Sequence, residues 1–340
     1  MKNKNAYAVL LSLIVALGLV AAGCGSSDDS SSEPTTPATA ASGSEDTGSS
    51  DLETLRLGVV PSLDLGVVSA GEKQGYFEDE GLKLEISPVD AGPTIVTGIV
   101  ADQYDIGWTA YAPPLLAIGE GAAPLKLVSN SSVQGPEGDN GGTLVRKDSG
   151  IKSWKDLAGK KIGTNAPRSL FSLSIPAAIA KDGGDPSDIE LVPLPFTAIG
   201  KAVADGQIDA GVALEPFLSG AITEFPDLTD LGDSTAYVLP EGSPSAAYFT
   251  SESIAESKAD AIAGFKAAFD KSVAYAKKNP DEVKALGGEL AGIPPEVATK
   301  LPLAPPATEV TAADLDPMLD LMVEFDWIKE KPDLTSFLGQ

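Results

Sequence analysis

The chain has 340 residues, 49 acidic and 24 basic, for a formal charge of −25, with one cysteine and no histidine. That excess of negative charge argues against nucleic acid or an anionic lipid surface as a partner. Without histidine there is no Ser-His-Asp triad and no His-ligated zinc; with the only cysteine near the amino terminus, the body has no disulfide or thiolate metal site, and no cofactor is expected.

Lys2 and Lys4 precede an apolar run from Ala6 to Leu19, and the small residues Ala21, Ala22 and Gly23 lead into Cys24. Residues 1–23 therefore read as a secretory signal peptide, too short and wrongly flanked for a stable membrane span. The approach to the cysteine resembles a bacterial lipobox, with Ala21 where that motif usually carries leucine. On this reading Cys24 takes a diacylglyceryl group and becomes the mature amino terminus, anchored outside the cytoplasm to the cell membrane. The competing reading is an ordinary secretory signal with an idle thiol. Residues 24–51 are Ser, Thr, Ala, Asp and Glu with almost no large apolar side chain. They bury too little surface to offset chain entropy, which predicts a disordered tether.

From Leu52 short β-branched runs alternate with helical stretches, which predicts an α/β fold. Residues 55–63 (LRLGVVPSL) predict a strand and turn. Residues 82–99 (LKLEISPVDAGPTIVTGI) predict a strand, a Gly-Pro turn and a helix from near Pro93. Residues 100–114 (VADQYDIGWTAYAPP) predict a strand and a proline loop. The same order returns in 160–170 (KKIGTNAPRSL), in 188–202 (DIELVPLPFTAIGKA) with a helix from near Thr197, and in 203–217 (VADGQIDAGVALEPF). Three matching segments in one order predict two related lobes rather than a single sheet. Two extended segments, Gly142–Arg146 and Ser245–Thr250, are the expected hinge crossings between them. The expected lobes are then 52–144 plus 245–340, and 145–244, with a ligand cleft that closes by rigid rotation. The glycine-rich Glu137–Leu144 lacks the Gly-Lys-Ser/Thr ending of a phosphate loop and carries two acids that would repel phosphate.

The last third predicts packing helices. Ser257 and Asp260 form a capping pair ahead of Ile262, Phe265, Phe269, Ser272 and Ala276 at helical spacing. Asn279-Pro280 ends that helix and opens another, with Val283, Leu286 and Leu290 on one face. Leu315, Met318, Leu319, Met322 and Val323 make a further stripe, which Pro317 interrupts without an evident reason.

The segments GEKQGYFEDEGLKLEI, IVADQYDIG, SWKDLAGKKIG, IELVPL, VADGQIDAGVALEPF and KKNPDEV occur in that order. Together they resemble the solute-binding proteins of ABC importers for nitrate, sulfonates, taurine and thiamine-precursor pyrimidines. The resemblance runs from Leu55 to about Trp327. It implies a two-lobed periplasmic-binding-protein fold (type II-like), a monomeric receptor, a small-molecule solute and an ABC permease in the membrane as partner, with no enzymatic activity. A pyrimidine-synthesis-like enzyme on the same fold is the alternative; that branch uses active-site histidine, which this chain lacks.

In open α/β sheets ligands bind beyond the carboxyl ends of the strands. In the first lobe that rule selects Ser62, Asp64, Thr94, Trp108, Thr109, Tyr111 and Asn130; in the second it selects Asn165, Arg168, Ser169 and Glu215. Of the three arginines, Arg168 alone falls on a strand-to-helix loop of the expected cleft, where its planar fork suits a carboxylate or sulfonate. This favours a small organic anion. Alternatively Arg168 pairs with an acid such as Glu215 and latches the lobes. Trp108 and Tyr111, with Phe171, Phe196 and Phe217 nearby, leave open an aromatic or pyrimidine solute held by stacking. Asp64 and Glu215 could hold an amino group, or stand as solvated loop carboxylates.

Overall fold

A computed structural model describes residues 52–136 and 141–339, so the expected signal peptide, Cys24 and the expected tether lie outside the described residues. The first lobe opens with β1 (Glu53–Val59), α1 (Gly66–Lys73), β2 (Leu82–Pro88), α2 (Gly92–Val100), β3 (Ile106–Ala110), α3 (Ala112–Gly119) and β4 (Leu125–Val133). The second follows as β5 (Gly141–Arg146), β6 (Lys161–Thr164), α4 (Leu170–Lys181), β7 (Glu190–Pro193), α5 (Phe196–Ala204), β8 (Ala210–Leu214), α6 (Phe217–Glu224), β9 (Leu228–Asp230) and α7 (Ser234–Val238). The chain returns through β10 (Pro244–Ser251) and finishes with α8 (Ala259–Ala276), α9 (Pro280–Leu290) and α10 (Ala312–Glu324). Among the described residues no helix is long and apolar enough to cross a membrane.

The strands form two five-stranded sheets, ordered β2-β1-β3-β10-β4 and β7-β6-β8-β5-β9. The repeat is visible here: β1 lies parallel between β2 and β3, as β6 lies parallel between β7 and β8. In each sheet the fourth position is antiparallel to both neighbours and is filled by β10 in the first and β5 in the second. This corrects the expected crossings. Gly142–Arg146 and Ser245–Thr250 are inner strands of opposite sheets, because both are runs of small and apolar residues buried on both faces. The chain changes lobe just before each of them, after Val133 and after Val238, so Gly141–Leu144 belongs to the second sheet rather than the first. Gln134 marks where the two connections meet: its N–H donates to the Ser243 carbonyl at 2.7 Å, and its carbonyl accepts from the Gly242 N–H at 2.9 Å.

The carboxyl-terminal helices cover the first lobe. Phe265 and Phe269 of α8 pack on Tyr248 of β10, with ring centroids 5.1 and 4.8 Å apart. The expected capping pair does not form: Lys258 holds the N-cap position with no side-chain bond, and the Ser257 hydroxyl turns back to the Ile254 carbonyl. Asn279 and Pro280 do open α9, but its stripe ends early, since Leu290 is 49 % exposed. Pro317 sits inside α10, where the carbonyl it leaves without a helical partner belongs to exposed Ala313 and can be hydrated. Close approach of α1 to α9 depends on two glycines. A Cβ on Gly66 would lie 2.0 Å from the Val283 carbonyl oxygen, and one on Gly287 would lie 2.2 Å from that of Leu63.

Candidate functional site

A cavity opens where the carboxyl ends of the parallel strands of both sheets converge. From the first lobe, the turn after β1 brings Ser62 and Asp64, and the end of β3 brings Trp108 and Thr109. From the second, the loop after β6 brings Asn165 and Ser169. These six are expected site residues that the structure does bring together. Ser62 is fixed by its own turn, its hydroxyl accepting from the Asp64 N–H at 3.3 Å. Ser169 caps α4 in the same way, accepting from the Ser172 N–H at 3.4 Å.

Five expected residues lie outside the cavity wall. Thr94 is on the exposed face of α2. Tyr111 and Asn130 are fully buried and bonded to each other: the phenol donates to Asn130 Oδ1 at 2.9 Å, and Asn130 Nδ2 donates to the Ala307 carbonyl at 3.0 Å. Burial pushes the Tyr111 phenol far above its ordinary range, so it stays neutral. Glu215 is buried at the start of α6, where its carboxylate accepts from the Ser219 hydroxyl and N–H at 2.7 and 3.1 Å. Burial raises its carboxyl, and the Ser219 bonds oppose that only in part. Arg168 adopts φ +60°, which turns its side chain out of the cavity to an ion pair with Glu120 Oε1 at 2.7 Å. Arg168 is thus an interlobe contact, as one expectation had it, but with Glu120 of the first lobe rather than Glu215. A second bond crosses the same gap, from Asn165 Nδ2 to the Asp90 carbonyl at 3.3 Å.

The walls are largely apolar, with Phe171 and Phe196 edge-to-face at 6.1 Å and Phe196 stacked on Phe217 at 5.9 Å. Phe217 itself lies behind that wall. Trp108 donates its indole N–H to Ser131 Oγ at 2.9 Å, so it presents carbon surface to the cavity. Ser245 on β10 is satisfied by Ser132, 2.8 Å away. Sequence reasoning missed Asp233 and Thr235, which reach the cavity from the start of α7. The available signal was local: Asp-Ser-Thr ahead of a short helix is an N-cap pattern, and Asp233 does accept from the Thr235 and Ala236 N–H groups at 2.7 and 3.3 Å. Two polar atoms at this site have no hydrogen-bond partner among the described residues, Thr235 Oγ1 and Asn165 Oδ1. Buried polar atoms are nearly always satisfied, so two orphans in one cavity mark a place for a ligand or water. No lysine or arginine lines the cavity among the described residues.

A family model described as NMT1/THI5 like matches residues 64–283. A Bacillus subtilis (strain 168) protein described as aliphatic-sulfonates-binding is 25% identical over 311 residues, which cover 90% of this chain and 85% of that protein. Among solved structures, the periplasmic aliphatic sulphonate binding protein SsuA from Escherichia coli superposes with a TM-score of 0.66 at 24% identity, covering 84% of this chain and 97% of that one. A Candida albicans gene product described as having the generic periplasmic binding protein structural fold gives a TM-score of 0.67 at 17% identity, over 84% of this chain and 96% of that one. The fold is therefore the two-lobed periplasmic-binding-protein architecture. With the family match spanning well over half its length, the chain belongs to the NMT1/THI5-like family.

Proposed function

We propose that this protein is the extracytoplasmic solute receptor of an ABC importer, a monomer moored to the membrane through lipid on Cys24, which captures a small organic solute by closing its two lobes and presents it to a permease. The observation that carries this reading is the cavity itself: both lobes line it, two connections join the lobes, and two lining residues of the second lobe, Asn165 and Thr235, carry a buried polar atom with no hydrogen-bond partner among the described residues. Closure adds contacts that the open form lacks, so bound solute shifts the population towards the closed form. Binding and release need no covalent chemistry, and relatives described as binding proteins support a non-enzymatic role.

The relatives' descriptions favour an aliphatic sulfonate. Its head group would have to be met by the hydroxyls of Ser62, Thr109 and Ser169 and by the amino-terminal end of α4, since Arg168 lies outside the cavity. The ring surfaces of Trp108, Phe171 and Phe196 favour a second reading, an aromatic solute such as a pyrimidine. Small-angle scattering tests the receptor function directly. Compaction on adding a saturating ligand, with a matching rise in melting temperature, is expected; a scattering profile unchanged across sulfonates, nitrate, carboxylates and pyrimidines rejects it. Metabolic labelling with a fatty acid tests the anchor, which Cys24→Ala is expected to abolish.

A further inference from the structure

We propose that the solute carries an apolar tail, held in a groove beyond Phe196 that is built on Phe217, Gly220 and Ala221 of the second lobe and on Ala291 and Ile293 of the first. The proposal rests on the reading of the cavity as the solute site, and adds a second compartment to it. Phe196 lines both spaces, whereas Phe217, stacked on it at 5.9 Å, lines only the groove. The Phe196 ring is therefore the partition between them. On the first-lobe side the two spaces are linked again: Ala291 shares a crevice with Leu290 and Ser62, and Ser62 is on the cavity wall. The groove thus adjoins the cavity along both lobes, which assigns it to the same ligand rather than to a separate partner.

The chemistry of the groove suits hydrocarbon. Phe217, Ala221 and Phe225 are half-buried, as are Ala291 and Ile293 from the first lobe. Apolar surface left open in this way is covered favourably when a hydrocarbon chain lies on it. The charged residues on the wall, Lys201 and Glu224, are exposed and opposite in sign, so the groove offers no net charge to a polar head group. Two glycines shape the space. A Cβ on Gly200 would lie 2.4 Å from the Ala221 Cβ, so the bare glycine lets α5 close on α6. A Cβ on Gly220, exposed on α6, would meet no atom within 4 Å and would stand in the open groove. Because residues of both lobes line the groove, a tail lying in it is fully covered only in the closed form, so a longer tail also strengthens closure.

Chain-length series on two head groups test this by calorimetry and small-angle scattering on the full chain: ethane-, butane-, hexane- and octane-1-sulfonate, and uracils carrying the same alkyl groups at carbon 5. In at least one series affinity is expected to rise about threefold for each added methylene from butyl to octyl. Gly220→Phe fills the groove from an exposed helix position. It is expected to weaken the octyl member by about tenfold or more, to leave the ethyl member within about threefold, and to keep the melting temperature of the free protein near that of the parent chain. Gly220→Ala, which removes the glycine without filling the groove, is expected to retain the gain with length. Affinity that does not grow with chain length, or growth that Gly220→Phe leaves intact, overturns the proposal; if the short members still bind and compact the protein, the receptor function stands. If no member of either series binds, the tail groove falls, and the receptor function then depends on compaction by nitrate, carboxylates or other pyrimidines.

Discussion

Tyr111 and Arg168 show how far a side chain's role depends on where one bond points it. Both sit at predicted strand ends, yet Tyr111 turns into the core and Arg168 turns across the lobe gap. Tyr111→Phe is expected to cost about 1–3 kcal/mol in urea unfolding, because Asn130 Oδ1 is left buried without its donor, and to leave ligand affinity unchanged. The Arg168–Glu120 pair is about half exposed, and such pairs contribute about 0–1 kcal/mol. Arg168→Ala is therefore expected to open the ligand-free protein slightly in scattering and to lower affinity by about fivefold at most, an effect that salt reproduces in the parent chain. A loss of about a hundredfold, which is near 2.7 kcal/mol, would return the guanidinium to the cleft. Local rules found the residues that their own turn holds in place, such as Ser62 and Ser169. They failed for Tyr111, Asn130 and Glu215, whose partners come from packing.

Among the elements, β1, β3 and α8 are joined by one carboxylate. Asp105, just before β3, accepts from the Arg56 Nη2 and Nε groups at 2.9 and 3.0 Å, and from the Arg56 backbone N–H at 2.9 Å. The Lys258 ammonium, just before α8, lies 3.1 Å from the same carboxylate. Burial alone would raise the Asp105 carboxyl, but the Arg56 and Lys258 contacts outweigh it and hold the group below the usual carboxylate range. The folded chain thus binds fewer protons here than the unfolded chain. The contribution is complete above the ordinary carboxylate value of about 3.9 and is lost as pH falls through the lower, folded value. Asp105→Asn is expected to flatten the acid limb of the stability curve and to cost about 2 kcal/mol at neutral pH, read by chemical unfolding across pH. Glu215, with its carboxyl raised by burial, acts in the opposite sense: its folded form loses stability as pH rises through its folded value. At this scale the strand and helix periods were legible from the sequence. The capping pair at Ser257 was not, because the short helix Glu252–Ser257 already occupies that turn.

For the whole molecule, the exchange of inner strands has a folding consequence. All strands of the second sheet lie between Gly141 and Asp230, whereas the first sheet needs β10, which follows the entire second lobe. A fragment of residues 141–243 is expected to unfold cooperatively by circular dichroism, and a fragment of residues 52–133 is expected not to fold, since removing β10 leaves β3 and β4 without their shared neighbour. Cooperative folding of the shorter fragment would contradict that dependence. What the sequence by itself determined was the class of the protein: an α/β chain written twice, with a cleft at its strand ends and Ser62, Asp64, Trp108, Thr109, Asn165 and Ser169 on its wall. Periodicity and turn chemistry act over a few residues, and those features are local. The tertiary structure alone decided which sheet β5 and β10 join, which acid meets Arg168, and that Asp233 and Thr235 share a cavity with Asp64. Each of these depends on contacts between residues far apart in the chain, set by packing and burial that no short stretch encodes.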